Sequence, residues 1–328
     1  ITSLAESPKQ EGLIYAGTDD GIIQVTEDGG ANWRKINVGS IAGVPGTAFV
    51  NDIKADLFDA NTVYAALDNH KNGDYSPYLV KSTDKGRTWK SIKGNIPDRT
   101  LIWRLVQDHE TAGLLFAATE FGIYFTIDGG GRWVKLKGDV PTISFRDLAI
   151  QRRENDLVAA SFGRGFFIFD DYSVLREVSN ATLNSEAALF STRDAWWYIP
   201  RPILSFDDQK GSQGDPHYVA PNPDFGAVFT YHLKDGLKSN AELRKEKEKK
   251  MKEQSITFPG WETVSEEHAQ VKPEIWLTVK DASGAVVKRI AGKTKKGFHR
   301  IAWDLRYPSS AAIALNQGDT EGEPSGRL

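Results

Sequence analysis

The chain has 328 residues, 40% of them hydrophobic and 26% charged, which is enough apolar material to fill two separate cores. A formal net charge of −3 provides no basic field of the kind that holds nucleic acid or an anionic bilayer. With no cysteine, disulfides, thiolate metal sites and a cysteine nucleophile are all excluded.

The first half of the chain is built from internal repeats. The first reads Leu13-Ile-Tyr-Ala-Gly-Thr18, Gly21-Ile-Ile-Gln-Val25 and Thr26-Glu-Asp-Gly-Gly-Ala-Asn-Trp33. The second has Thr62-Val-Tyr-Ala-Ala-Leu67, a longer loop over residues 68–77, then Tyr78-Leu-Val-Lys81 and Ser82-Thr-Asp-Lys-Gly-Arg-Thr-Trp89. The third has Leu115-Phe-Ala-Ala-Thr119, Gly122-Ile-Tyr-Phe125 and Thr126-Ile-Asp-Gly-Gly-Gly-Arg-Trp133, and the fourth keeps Leu157-Val-Ala-Ala-Ser161 and Gly165-Phe-Phe-Ile-Phe169. Each repeat is three or four short β-rich runs separated by Gly, Asp or Asn turns, the pattern of one antiparallel sheet per repeat. Inner strands are expected just before these runs, at residues 51–55, 102–107 and 145–150, while the first repeat starts too close to Ile1 for a full one with anything preceding it. Radial repetition of such sheets makes a β-propeller. The expected fold class is therefore all-β: the C-terminal part of a β-propeller over residues 1–175, then an immunoglobulin-like β-sandwich with a charged helical insertion.

The first three repeats share Ser/Thr-x-Asp-x-Gly-x-x-Trp, placing Asp28 with Trp33, Asp84 with Trp89 and Asp128 with Trp133. A short acid in a hairpin turn accepts bonds from nearby backbone N–H groups, the Gly takes a positive φ, and the Trp anchors the turn on the sheet. These six residues are read as structural.

This motif is the Asp-box of bacterial-neuraminidase-type repeats. Together with Phe58-Asp-Ala-Asn-Thr-Val-Tyr-Ala-Ala-Leu-Asp-Asn-His70, Thr119-Glu-Phe-Gly-Ile123, Arg146-Asp-Leu-Ala-Ile150 and Ser161-Phe-Gly-Arg-Gly165 ahead of Asp170-Asp171, it makes residues 1–175 resemble one family. That family is the sortilin-type ten-bladed propeller with its bacterial relatives, many of them labelled glycosyl hydrolases. The resemblance implies an exported protein, periplasmic, at the cell surface or secreted, with more blades than the four repeats seen here. Expected partners are the remaining blades of one precursor or a second copy, either of which would cover the sheet faces a part-propeller leaves open. A peptide, protein or glycan ligand is expected beside them. Nucleic acid is not, and no apolar run of about 18 residues marks a membrane span.

Repeat logic fails after residue 172, and residues 176–190 are read as a linker. Ala195-Trp-Trp-Tyr-Ile-Pro-Arg-Pro202 is read either as packing between two domains or as an aromatic platform for sugar or peptide. Strands are expected at 227–233, 274–280, 285–291 and 298–304, with Asp281-Ala-Ser-Gly284 as a hairpin turn, which suits an immunoglobulin-like sandwich over residues 191–308. Gly297-Phe-His-Arg-Ile-Ala-Trp-Asp-Leu-Arg-Tyr307 resembles the terminal strand of the flagellar-hook-cap-type or fibronectin-like modules that follow propellers in the bacterial relatives. Residues 237–254, Lys- and Glu-rich behind a capping Ser239, read as a solvated helical insertion, and residues 309–328 as a flexible tail.

Propeller ligands meet the inner ends of blades and the loops around the channel. Asn51, Arg104 and Arg146 are placed at equivalent inner-strand positions, and Arg164 in a Gly-flanked loop of the fourth repeat; guanidinium groups converging there would hold a carboxylate or sulfate. The competing reading is Arg–Asp pairing between blades, because Asp52 and Asp147 follow Asn51 and Arg146 by one residue. Asp68 and Glu120 follow equivalent second strands and form the candidate catalytic pair, since glycosidases use two carboxylates about 5 to 10 Å apart; solvated rim acids are the alternative. His70 joins the candidate ligand-binding set. Asp68-Asn-His70 with Asp74 could hold Ca²⁺ through oxygen ligands, but no EF-hand spacing supports it and the six histidines form no H-x-x-x-H pair, so no cofactor is expected. The sequence favours a propeller-based binding or scaffold protein that recognises a peptide, protein or glycan at its channel. Glycoside hydrolysis, sialidase-like or polysaccharide-degrading, is the alternative.

Overall fold

The computed structural model describes residues 1–199, 220, 222–251 and 256–308. The chain divides into two compact units, Ile1–Arg176 and Glu177–Leu328.

The first unit is a series of antiparallel meanders. The first blade is β1 (Ser3–Glu6), β2 (Ile14–Gly17), β3 (Ile22–Thr26) and β4 (Arg34–Asn37); the second is β5 (Phe49–Ala55), β6 (Val63–Asn69), β7 (Asp74–Ser82) and β8 (Lys90–Ser91). The third is β9 (Ile102–Gln107), β10 (Leu115–Thr119), β11 (Gly122–Thr126) and β12 (Val134–Lys135), and the fourth, with three strands, is β13 (Phe145–Gln151), β14 (Asp156–Ser161) and β15 (Phe166–Phe169). Their first strands lie side by side, β1 against β5, β5 against β9 and β9 against β13. Sheets repeated about a shared inner row are propeller blades, so the all-β propeller class holds. The inner strand of the first repeat, β1, has four residues, against seven, six and seven in β5, β9 and β13.

Blade packing follows from strand alternation. On β6, Ala65 and Leu67 face the first blade, in one core with Tyr15, Ile23, Val50 and Val80. Tyr64 and Ala66 face the third, with Leu105, Leu115 and Trp133. Phe116 and Ala118 on β10 repeat the device toward Phe145, Leu148 and Tyr172 of the fourth blade. Where β2 meets the second blade there is no room for a side chain at position 17: a Cβ on Gly17 would sit 2.5 Å from Val50 Cγ1.

The three boxes fold as their chemistry requires. Asp84 Oδ1 accepts from Ser82 Oγ at 2.7 Å and from the Thr88 N–H at 2.8 Å, while Trp89 Nε1 donates to the Gly86 carbonyl at 3.1 Å. Asp28 and Asp128 repeat this with Thr26 and Asn32, and with Thr126 and Arg132. Gly86 adopts a φ of 78°, where a side chain is strained. Bonds from the Asn32 side chain and N–H hold Asp28 at about 2. Burial pushes Asp84 up, but the bonds from Thr88 and Ser82 together outweigh it and also leave it at about 2.

The fourth blade is tied to the third by Asp108, which is fully buried. It accepts from the Glu110 and Thr111 N–H groups, from Tyr172 Oη at 2.7 Å, and from Arg176 Nε and Nη2 at 3.0 and 2.7 Å.

In the second unit, α1 (Asn180–Asn184) and β16 (Ala187–Leu189) occupy part of the segment expected as a linker. β16 is an edge of a three-stranded sheet with β17 (Ala227–Leu233). Then come α2 (Asn240–Glu248), α3 (Trp261–Ala269), the hairpin β18 (Ile275–Lys280) and β19 (Val286–Gly292), and β20 (Gly297–Trp303), which completes the sheet β16-β17-β20. The five strands described are fewer than the seven of an immunoglobulin constant-type domain. Ser239 caps α2 in a reciprocal capping box with Glu242. α3 is an addition to the expected single insertion, docked through Arg244, which forks onto Glu267 with two 2.8 Å bonds. Trp197 and Tyr198 pack edge-on against Phe225; residues 200–202 of that aromatic segment, 252–254 of the insertion and the tail 309–328 lie outside the described residues.

Candidate functional site

Blades two to four build the site through a β-bulge repeated in their inner strands. Asp52, Arg104 and Asp147 pair with Ala66, Ala118 and Ala160 in matching register, and in each strand the preceding residue is skipped by the ladder. The skipped residues are Asn51, Trp103 and Arg146. A bulge re-aims the extra side chain. The equivalence read from sequence is therefore one residue out for the third blade: Trp103, not Arg104, matches Asn51 and Arg146.

Arg104 belongs instead to a ladder of charges in the in-register row. Its Nη1 bonds Asp52 Oδ1 at 3.0 Å and its Nε lies 3.2 Å from Asp147 Oδ1. Asp52 is 2% exposed, and burial is the main cause of its raised pKa, partly offset by Lys54, the Leu105 N–H and Arg104. The guanidinium groups thus do not converge as a triad. Arg104 serves Arg–Asp pairing between blades, Asn51 donates to the Ile102 carbonyl at 3.2 Å, and Arg164 is exposed on the turn between β14 and β15.

Arg146 enters a pocket of about 370 Å³ at the end of the inner strands. His70 and Tyr75 of the second blade form one wall. Arg99, Leu101, Trp103, Glu120 and Phe121 of the third complete it. The Arg146 guanidinium lies 3.7 Å from the Trp103 ring centroid and 5.0 Å from that of Phe162. Glu120 Oε2 accepts from Trp103 Nε1 and from Ser144 Oγ, both at 3.0 Å. Ser144 Oγ accepts in turn from Arg146 Nε at 3.0 Å. His70 stands edge-on to Trp103, with ring centroids 5.8 Å apart.

Two of the nominated residues, Glu120 and His70, therefore join Arg146 in the pocket. Asp68 does not line it: the residue is 2% exposed, its carboxylate taken by the His70 Nδ1 and N–H. Asp74 is engaged by Tyr78 Oη and the Ser76 N–H, and no group of three or more His, Asp or Glu placed to hold a metal occurs among the described residues. Trp103, Tyr75, Arg99 and Phe121 were not nominated. The long loop of the second repeat carried a signal for Tyr75; Arg99, exposed with a φ of 62° in the loop between β8 and β9, left none. The apolar cleft of the second unit, between β16, β17 and β18, is lined by no acidic or basic side chain.

No family model matches the chain. A segment of 99 residues is 31% identical to the xyloglucanase Xgh74A of Acetivibrio thermocellus, covering 27% of this chain and 12% of that protein. Among solved structures, the GH74 enzyme of Niastella koreensis aligns at 17% identity and a TM-score of 0.43, over 52% of this chain and 29% of that one. The GH74 xyloglucanase of Xanthomonas campestris aligns at 14% identity and 0.43, over 71% and 36%. YCF48 from Cyanidioschyzon merolae gives 18% and 0.37, over 51% and 52%. The chain thus spans well under two thirds of each. No helix among the described residues is long and apolar enough to cross a membrane.

Proposed function

We propose that the propeller unit is a binding module that captures a peptide, protein or glycan through an acidic group at the pocket around Arg146. One observation carries this reading. Two guanidinium side chains, Arg99 and Arg146, share the pocket with aromatic faces, while Glu120 is the one carboxylate in its lining and its Oε2 already accepts two protein hydrogen bonds. Such a wall offers charge-assisted donors to an anion and stacking surface to what carries it. Titration calorimetry with tetragalacturonate and acidic hexapeptides, against neutral counterparts, tests it. Acidic ligands bind without turnover, and Arg146→Ala weakens them about tenfold, the scale of one charge-assisted hydrogen bond. Equal binding of neutral and acidic ligands refutes the reading.

The segment akin to a xyloglucanase favours glycoside hydrolysis as a second reading. It needs a second carboxylate opposite Glu120, and the buried, His70-bound Asp68 is poorly suited. If hydrolysis of any glycan is found and is abolished by Glu120→Gln or Asp68→Asn at an unchanged melt, this second reading replaces the first.

The sortilin-type resemblance of the boxes supports export. The exposed Phe166 and Ile168 of β15 suit cover by further blades or a second copy, which the intact mass of the purified particle would reveal. The second unit serves as an immunoglobulin-like spacer.

A further inference from the structure

The contacts around Glu120 point to a role for it that differs from acid catalysis. Its Oε2 is the common acceptor of the Trp103 indole N–H and the Ser144 hydroxyl. Ser144 passes the constraint to Arg146 through the guanidinium Nε, and Trp103 passes it through the ring on which that guanidinium lies. Arg146 Nη2 is 3.8 Å from the same oxygen, beyond a good hydrogen bond. Arg146 is thus located by two ring faces, Trp103 and Phe162, and one N–H; the Trp103 face and the N–H are both fixed by the same Glu120 oxygen through one intervening residue. Both Nη groups stay outside those two restraints.

We infer that Glu120 is a positioning residue for Arg146, acting through Trp103 and Ser144, and that what the site requires of it is a hydrogen-bond acceptor, not a proton or a charge. The inference rests on the reading of this pocket as a binding site for acidic groups. A long cationic side chain held in advance loses less freedom when its ligand arrives. The bulge that expels Trp103 and Arg146 from their ladders makes this support necessary, because a side chain aimed out of the sheet is not located by its neighbours on the strand. A glutamine carbonyl oxygen at position 120 can accept both bonds; an alanine can accept neither.

The test uses the full chain as wild type, Glu120→Gln, Glu120→Ala and Ser144→Ala. Nitrogen–proton correlation spectra without ligand follow the Trp103 indole and Arg146 Nε resonances, and calorimetry follows tetragalacturonate. Glu120→Gln keeps both resonances near their wild-type positions and the affinity within about threefold; Glu120→Ala shifts both and weakens binding about tenfold. Ser144→Ala shifts the Arg146 resonance and leaves the Trp103 indole in place. Two results overturn the inference: Glu120→Gln matching Glu120→Ala in the spectra, or Glu120→Ala leaving both resonances unmoved. Because the spectra need no ligand, wild-type protein that fails to bind the probe defeats the binding-site reading while the positioning role is still decided.

Discussion

Replacing Asp108 by alanine should be among the costliest single changes in the propeller unit. The residue is fully buried and receives two backbone N–H groups, the Tyr172 hydroxyl and two arms of Arg176. Arg176 is itself only 13% exposed. Deleting one partner of a buried pair costs about 3–5 kcal/mol, because the other charge stays behind. Here Glu110 and Asn155 still hold Arg176, at 2.8 and 2.7 Å, which favours the lower end. The stranded Tyr172 hydroxyl adds about 1 kcal/mol or more, so the sum is about 4 kcal/mol. Urea unfolding at pH 7, followed by near-ultraviolet circular dichroism, should give this loss for Asp108→Ala. The double variant Asp108→Ala, Arg176→Met should recover part of it, since the unpaired charge goes too. A single-variant loss under about 1 kcal/mol, or a double variant worse than the sum of the singles, refutes the reasoning.

Two predictions concern the boxes. Trp133 is 2% exposed and its Nε1 donates to the Ile92 carbonyl at 2.8 Å, whereas Trp33 is 44% exposed. Trp133→Phe should cost about 1–3 kcal/mol and Trp33→Phe under about 1 kcal/mol in the same urea assay; equal losses would mean that the motif, and not its burial, sets the cost. Asp28 and Asp84 are held at about 2 against an ordinary 3.8. A carboxylate depressed by folding stabilises above its unfolded pKa and loses that contribution as pH falls through the folded one. The thermal midpoint of the wild type should therefore drop between pH 4 and pH 2 more steeply than that of Asp84→Asn, and parallel curves would count against the box bonds as its source.

What the sequence made legible follows the range of the chemistry. The boxes were readable because Asp84, Gly86 and Trp89 complete their bonds within eight residues, and the inner strands because β-rich runs recur before each box. The aim of Arg104 was not readable. A one-residue bulge leaves no mark on composition, yet it moves Trp103 into the pocket and turns Arg104 to the acidic neighbours Asp52 and Asp147. Trp103 in an apolar run reads as core, and Arg99 sits in the loop between β8 and β9, which has no periodicity. The helix α3 was missed because Gly260 gives it no side-chain cap.

The bare Cα of Gly17 between the first two blades has a geometric consequence. A methyl group there would lie 2.5 Å from Val50 Cγ1 and 3.0 Å from Ile53 Cδ1, inside van der Waals contact with both. Any larger side chain at this position must displace β5 from β2. The separation of the first two sheets is therefore written in the absence of a single methyl group.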